Sequence, residues 1–311
     1  MFDVLGIGEN SIDYVYRLPD YPLPNGTSSK TRIAEHRVLP GGQVATTLAT
    51  CSALGLRASY AGVFGSDANG VRIREELSRR GVDIADAIVR EAPNRYAVIL
   101  VNEQNGERVV LWDRDARLDL ALSELRHQIV QQVRVLHVDD VDMRASIAAA
   151  HIAREAGVTV TSDIDRVTAR TDELVDAVTV AIFAAHVPQA LTGTADVGLA
   201  LRELRQRHRA WLCVTLGHDG AMLLEGDRLH HAPAVSIEPT DTTGAGDVFR
   251  GAFIYALLAG REPADILRFA NAAAAVSCTR EGAMDSIPTL ADVERVLSGG
   301  ADLRPAPAVR T

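Results

Sequence analysis

Short runs of β-branched residues alternate with Ala-, Leu- and Arg-rich segments along nearly the whole chain, and this alternation limits the possible folds most sharply. Residues 2–8 read as a buried first strand, 43–54 as a helix closed by Gly55, and 59–63 as a further strand. Over 69–80, Val71, Ile73 and Leu77 interleave with charge to give an amphipathic helix ended by Gly81. Strands follow at 133–138 and 158–162, around a helix over 144–156 that Gly157 stops. Two more, at 211–216 and 221–224, flank Gly217-His218-Asp219-Gly220, and Ala-rich helices occupy 247–258 and 264–278. This pattern predicts an α/β fold, a mostly parallel sheet flanked by helices on both faces. Two stretches break it. Residues 11–18 with 30–39, and 95–101 with 107–112, read as antiparallel strands with turns at Asn25-Gly26 and Asn105-Gly106. The expectation is one domain over 1–298, carrying a small antiparallel β lid built from about 11–39 and 95–112, and a disordered Gly/Pro/Ala-rich tail over 299–311.

Composition excludes several function classes. Lys and Arg total 32 against 41 Asp and Glu, so the net charge of -9 argues against nucleic acid or an anionic membrane as partner. Lys30 is the only lysine. The chain therefore has no Gly-Lys pair for a Walker A loop and no V-A-I-K strand lysine. Lys30 also lies in a polar stretch unsuited to Schiff-base chemistry. Cys51, Cys213 and Cys278 are odd in number, widely spaced and set among small apolar residues, which predicts buried thiols. No secretory signal begins the chain, and the uncharged run 177–195 contains His186, Pro188, Gln189 and Gly193, so it reads as strand, turn and helix start. A cytoplasmic location is expected.

The strongest chemical signal is Asp241-Thr242-Thr243-Gly244-Ala245-Gly246-Asp247-Val248-Phe249-Arg250-Gly251-Ala252-Phe253. Glycines around an alanine ahead of an apolar helix leave free backbone N–H groups at a helix N-terminus, a site for phosphate oxygens that needs no lysine. Asp247, in the first turn, could accept a hydroxyl proton as that oxygen attacks a phosphoryl group. A plain glycine turn with an Asp favouring the helix start would look the same. Pro40-Gly41-Gly42-Gln43 lets a ligand hydroxyl approach bare backbone. Neither Gly6-Ile7-Gly8 nor the stretch around Gly65 fits G-x-G-x-x-G, and no H-E-x-x-H or G-x-S-x-G occurs. His230-His231 reads as a polar strand end, and Arg114 as a partner in a surface ion pair.

In order, these residues resemble the ribokinase-like (PfkB) carbohydrate kinase family. The 241–253 segment carries the resemblance most specifically. It continues through Gly41-Gly42, Gly65-x-Asp67-x-x-Gly70, Thr215-Leu216-Gly217-x-x-Gly220, Asn271 and Thr279-Arg280-x-Gly282. The resemblance implies an ATP-dependent kinase using Mg2+, with Asp247 as base and the amides of Gly244, Ala245 and Gly246 as anion hole. Asp13, Gly41, Gly42 and Thr46 would bind the sugar; Thr215, Gly217, Gly220 and Asn271 would bind the nucleotide. Asp241, Thr243, Ser277, Gly282 and Ser286 match the loops where relatives hold a monovalent cation such as K+. Exposed strand edges in the lid would suit a homodimer.

Two departures stand out. Thr46 occupies the position of a usual Asn and loses an amide's paired donor and acceptor. The family's N-x-x-E motif falls on Ala184 and Val187, which implies weaker organisation of magnesium, recruitment of another carboxylate such as Asp163 or Asp165, or reduced catalysis. A sugar kinase is the first reading, a nucleoside kinase on the same scaffold the second, and a sugar- or nucleotide-binding protein without turnover the third.

Overall fold

The computed structural model describes residues 1–25, 29–104 and 107–299. The turns expected at Asn25-Gly26 and Asn105-Gly106, and the tail beyond Gly299, lie outside the described residues in whole or part. Strand β1 (Val4–Ile7) leads into β2 (Ser11–Leu18), β3 (Glu35–Gly41), α1 (Gln43–Ala53), β4 (Ala58–Tyr60), β5 (Val63–Gly65), α2 (Ala68–Arg79) and β6 (Ile88–Arg90). Next come β7 (Tyr96–Asn102), β8 (Arg108–Asp113), α3 (His127–Gln131), β9 (Val135–Asp139), α4 (Met143–Glu155), β10 (Thr159–Ile164) and α5 (Thr171–Ala177). Then follow β11 (Val180–Phe183), α6 (Val187–Thr192), α7 (Val197–Arg207), β12 (Trp211–Thr215), β13 (Ala221–Glu225) and β14 (Arg228–Ala232). The chain closes on α8 (Ala245–Leu258), α9 (Pro263–Cys278) and α10 (Leu290–Leu297).

The main sheet runs β14-β13-β12-β11-β10-β9-β1-β4. It is parallel from β12 to β4, and β13 and β14 add an antiparallel edge. Period-two alternation sends successive side chains to opposite faces. Leu5 and Ile7 of β1, Ala181 and Phe183 of β11, and Leu212 and Val214 of β12 share one core with α4 and α7. Val180, Ile182 and Cys213 point the other way, onto α8 and α9. Gly6 lets α1 close on β1: a Cβ there would fall 2.5 Å from Leu48. All three cysteines are buried and free.

A second sheet, ordered β3-β2-β7-β8, forms the lid. Its hairpins β2–β3 and β7–β8 are antiparallel as expected, but β2 and β7 join them in parallel, Ile12 opposite Tyr96. The strand expected over 59–63 is two strands: β4 edges the main sheet, while β5 leaves it to pair with β6. The break falls at Gly62, where a Cβ would meet the Tyr60 hydroxyl at 2.2 Å and the Gly8 carbonyl at 3.1 Å. No helix among the described residues is long and apolar enough to cross a membrane.

Candidate active site

The segment 241–247 turns back toward the sheet because Gly244 adopts φ 76° as the N-cap of α8. A Cβ there would sit 2.6 Å from Ala283 Cβ, so the loop and the 282–286 turn touch through a position only glycine can fill. The amide of Ala245 closes a turn on the Thr242 carbonyl at 3.3 Å. No side chain caps the helix, and no protein acceptor faces the amides of Gly244, Gly246 or Asp247 among the described residues. The open donors of this 14-residue helix are therefore those three rather than Ala245. Asp241 braces the loop from behind. Its Oδ1 accepts from the Thr243 amide at 2.8 Å and its Oδ2 from the Gly282 amide at 3.0 Å. Burial opposes the charged form, yet the Gly282 amide, the Thr243 hydroxyl and amide and the Arg108 charge together outweigh it and hold the Asp241 carboxyl below the usual range.

Two cavities meet at this loop. One, of about 470 Å³, is lined by Thr215, Gly217, Gly220, Asn271, Ala245 and Gly246. It collects every residue expected to bind nucleotide. Asn271 also has a structural task, because its amide nitrogen donates to the carbonyls of Ala232 at 2.9 Å and Pro233 at 3.1 Å. The other cavity, of about 370 Å³, lies beneath the lid and includes Asp13, Arg17, Arg108 and Asp241 in its wall. Pro239 and Thr242 line both.

On the lid side, Ser11 donates to Asp13 Oδ1 at 2.9 Å, and a Cβ on Gly41 would lie 2.7 Å from Asp13 Oδ2. Gly42, at φ 98°, allows α1 to start against the Asn10 backbone. Thr46 is fully buried in α1 and borders neither cavity, and its hydroxyl has no partner among the described residues. Contacts that close the lid on the body include Arg108 donating to the Thr243 hydroxyl at 2.8 Å, Tyr14 donating to Asn69 Oδ1 at 2.7 Å, and Arg17 and Arg37 pairing with Glu281.

Asp247 is half-buried in the first turn of α8, and its carboxylate has no hydrogen bond within the protein among the described residues. Burial, then the nearby Asp163 carboxylate, push its carboxyl well above the usual range, while Arg250 pulls it down. Glu9 and Asp13 add further negative charge. Burial also pushes Glu9 up to about 7, against the pull of Arg95, whose Nε lies 2.6 Å away.

The residues that could hold metals divide into two groups. Asp241, Thr243, Gly282 and Ser286 converge on one turn, and the 240–241 backbone is tied to the end of α9 beside Ser277. An ionised carboxylate among hydroxyl and carbonyl oxygens fits a hard monovalent cation. The residues do not fit an organised magnesium site. Ala184 and Val187 bring no side-chain oxygen, Asp165 is exposed, and Asp163 is taken by Arg250 at 2.5 Å. His230 is buried beside Glu225 and His231 is exposed, and no cluster of three metal-binding side chains occurs among the described residues. Arg114 is not at the surface: it is 16% exposed, with Nη2 2.6 Å from Asp142. The sequence reading missed Arg250, Glu9 and Arg108. A lone Arg inside the apolar pattern Val248-Phe249-Arg250-Gly251-Ala252 was the one available signal.

Comparison with known proteins agrees with this architecture. Residues 1–290 match the pfkB family carbohydrate kinase model, and the chain belongs to that family. A fructokinase-1 from Zea mays is 27% identical, covering 94% of this chain and 97% of its own. A nucleoside kinase from Methanothermobacter thermautotrophicus is 26% identical, covering 92% of each. Among solved structures, one described as a putative ribokinase from Agrobacterium tumefaciens superposes with a TM-score of 0.89 at 27% identity, over 96% of this chain and 98% of that one.

Proposed function

We propose that this chain transfers the terminal phosphoryl group of ATP to a hydroxyl of a sugar or sugar derivative. The observation that carries the reading is the placement of α8. Its first turn, with unpartnered amides at Gly244, Gly246 and Asp247, follows the loop where the two cavities meet. The lid-side cavity is lined there by Thr242 and Thr243, the nucleotide-side cavity by Thr242, Ala245 and Gly246, and Asp247 stands next in the chain to Gly246. ATP would occupy the cavity lined by Gly217, Gly220, Ala274 and Ala275, with its phosphates toward Gly246. The acceptor would lie beneath the lid, its hydroxyls held by Asp13 and the bare backbone of Gly41 and Gly42. Asp247 would accept the hydroxyl proton as the oxygen attacks. The Gly244, Gly246 and Asp247 amides, with the helix dipole, would neutralise charge on the moving phosphoryl group. ATP would bring its own Mg2+, for which the chain offers no organised pair of oxygen ligands. A monovalent cation such as K+, held by Asp241, Thr243, Ser277, Gly282 and Ser286, would supply a fixed positive charge behind the anion hole. Strand β8 is exposed along its length, and it is the edge through which a homodimer would form.

The test is nucleotide consumption over pentoses, ketohexoses, sugar phosphates and nucleosides, with Mg2+ and K+. Turnover with one acceptor class, lost in Asp247→Asn while ATP binding persists, supports the reading. Binding without turnover on any acceptor sinks it in favour of a non-catalytic binder. A nucleoside kinase is the second reading, favoured by the near-equal likeness to the nucleoside kinase relative. A nucleoside turned over in preference to free sugars would establish it.

A further inference from the structure

Arg250 stands where α8 would otherwise place an apolar side chain. It follows Gly246 by one helical turn, so both face the same side of the helix. It is 4% exposed, and its Nη2 lies 2.5 Å from Asp163 Oδ1 at the end of β10. Among the described residues its Nε is buried without a partner, and neither Asp163 oxygen has a further hydrogen bond. A Cβ on Gly246 would fall 2.7 Å from Arg250 Nη1, so the guanidinium fills the space beneath that residue.

This arrangement is unfavourable in three ways. A cation near the start of a helix is opposed by the helix dipole. Burying an ion pair costs more than burying apolar residues of the same volume. An unpartnered Nε carries its own desolvation cost. An apolar pair at 163 and 250 would avoid all three. What the arrangement achieves is a fixed guanidinium beneath Gly246, at a helix end whose amides are open, and a cation there favours a polyanion.

We infer that Arg250 is a positioning residue of the phosphoryl site. Tethered by Asp163, it presses on Gly246 from below, holds that amide toward the entering phosphate, and adds charge that no metal-organising side chain at Ala184 or Val187 provides. The inference rests on the kinase reading above.

The test uses the full chain, with ATP and whichever acceptor supports turnover. Arg250→Met is compared with Arg250→Lys and with Arg250→Met/Asp163→Asn, reading kcat, KM for ATP and thermal unfolding. Arg250→Met alone strands Asp163 and lowers the melting temperature; the double variant removes the lone buried charge and regains it. The expected result is a double variant that regains stability yet stays about 100-fold low in kcat, as for loss of an anion-hole donor, with KM for ATP within about threefold. Arg250→Lys, which keeps the charge but not the planar fork, should recover part of the loss. A double variant that regains both stability and kcat would show a structural ion pair only and overturn the inference. A loss carried entirely in KM for ATP also overturns it. If the wild type binds ATP and turns over no acceptor, the kinase reading fails, and the role of Arg250 falls with it.

Discussion

The two cavities on either side of the 239–243 loop are built by opposite means. The nucleotide side has no Asp, Glu, Lys or Arg among its described lining residues, which include the small residues Gly217, Gly220, Ala245, Gly246, Ala274 and Ala275. The lid side sets four charged side chains, Asp13, Arg17, Arg108 and Asp241, among apolar strand residues such as Val15, Leu39, Ile99 and Val101, several of them on strands of the separate sheet. Small residues fix a shape by excluding everything larger, while charged ones select by hydrogen bonding. The nucleotide wall thus follows from the packing of β12, α8 and α9, whereas the choice of acceptor rests with the lid.

Substitutions can break this division, and the largest effect is expected at the seam. Asp247→Asn should lower kcat by about 10²–10⁴-fold, the range for losing a general base, with ATP affinity retained by calorimetry. Because burial and Asp163 raise the Asp247 carboxyl, the wild-type kcat should fall on acidification at a pH above the usual carboxylate range; a profile flat down to that range would contradict the assignment. Next in size, Ala274→Leu overfills the nucleotide wall at a cost of about 1–3 kcal/mol. It should weaken ATP about tenfold and leave KM for the acceptor unchanged. The mirror experiment is Arg108→Ala, which removes the 2.8 Å bond from lid to Thr243. A loss of about 1 kcal/mol corresponds to a several-fold rise in acceptor KM, without a matching change for ATP. If either variant shifts both constants equally, the division is wrong.

The smallest effect probes the root of the lid. Glu9 titrates near 7 in the folded protein against 4.5 as its ordinary value, because it is buried. Between those values the unfolded chain releases its proton first, so the wild type loses stability as pH rises. Glu9→Gln removes that dependence. Its melting temperature should match the wild type near pH 4, pull ahead by a few degrees as pH rises through neutrality, and keep a constant lead above that.

Much of this was legible in the chain. Strand–helix alternation located the main sheet because parallel strands buried on both faces leave apolar runs that local pattern alone reveals. The Asp241–Asp247 segment located the seam, since a Gly-flanked helix start is a local device. What escaped notice depends on distant partners. The parallel join of β2 to β7 cannot be read from either hairpin. The strand over 59–63 divides at Gly62, where Tyr60 and Gly8 leave no room for a side chain. Arg250 reads as one charge in a helix until Asp163 and Gly246 are seen against it. Thr46, expected beside the sugar, lies fully buried in α1, and its burial depends on what packs against that helix.

The pairing of Ile12 with Tyr96 also sets an order of assembly. Everything from α1 through β6 lies between the two hairpins, so closing the second sheet must wait until that intervening loop of chain has collapsed. The catalytic cover should be the last part of the molecule to consolidate during refolding and the first to open under denaturant. In hydrogen exchange, the amides of β2 and β7 should lose protection before those of β9 and β10.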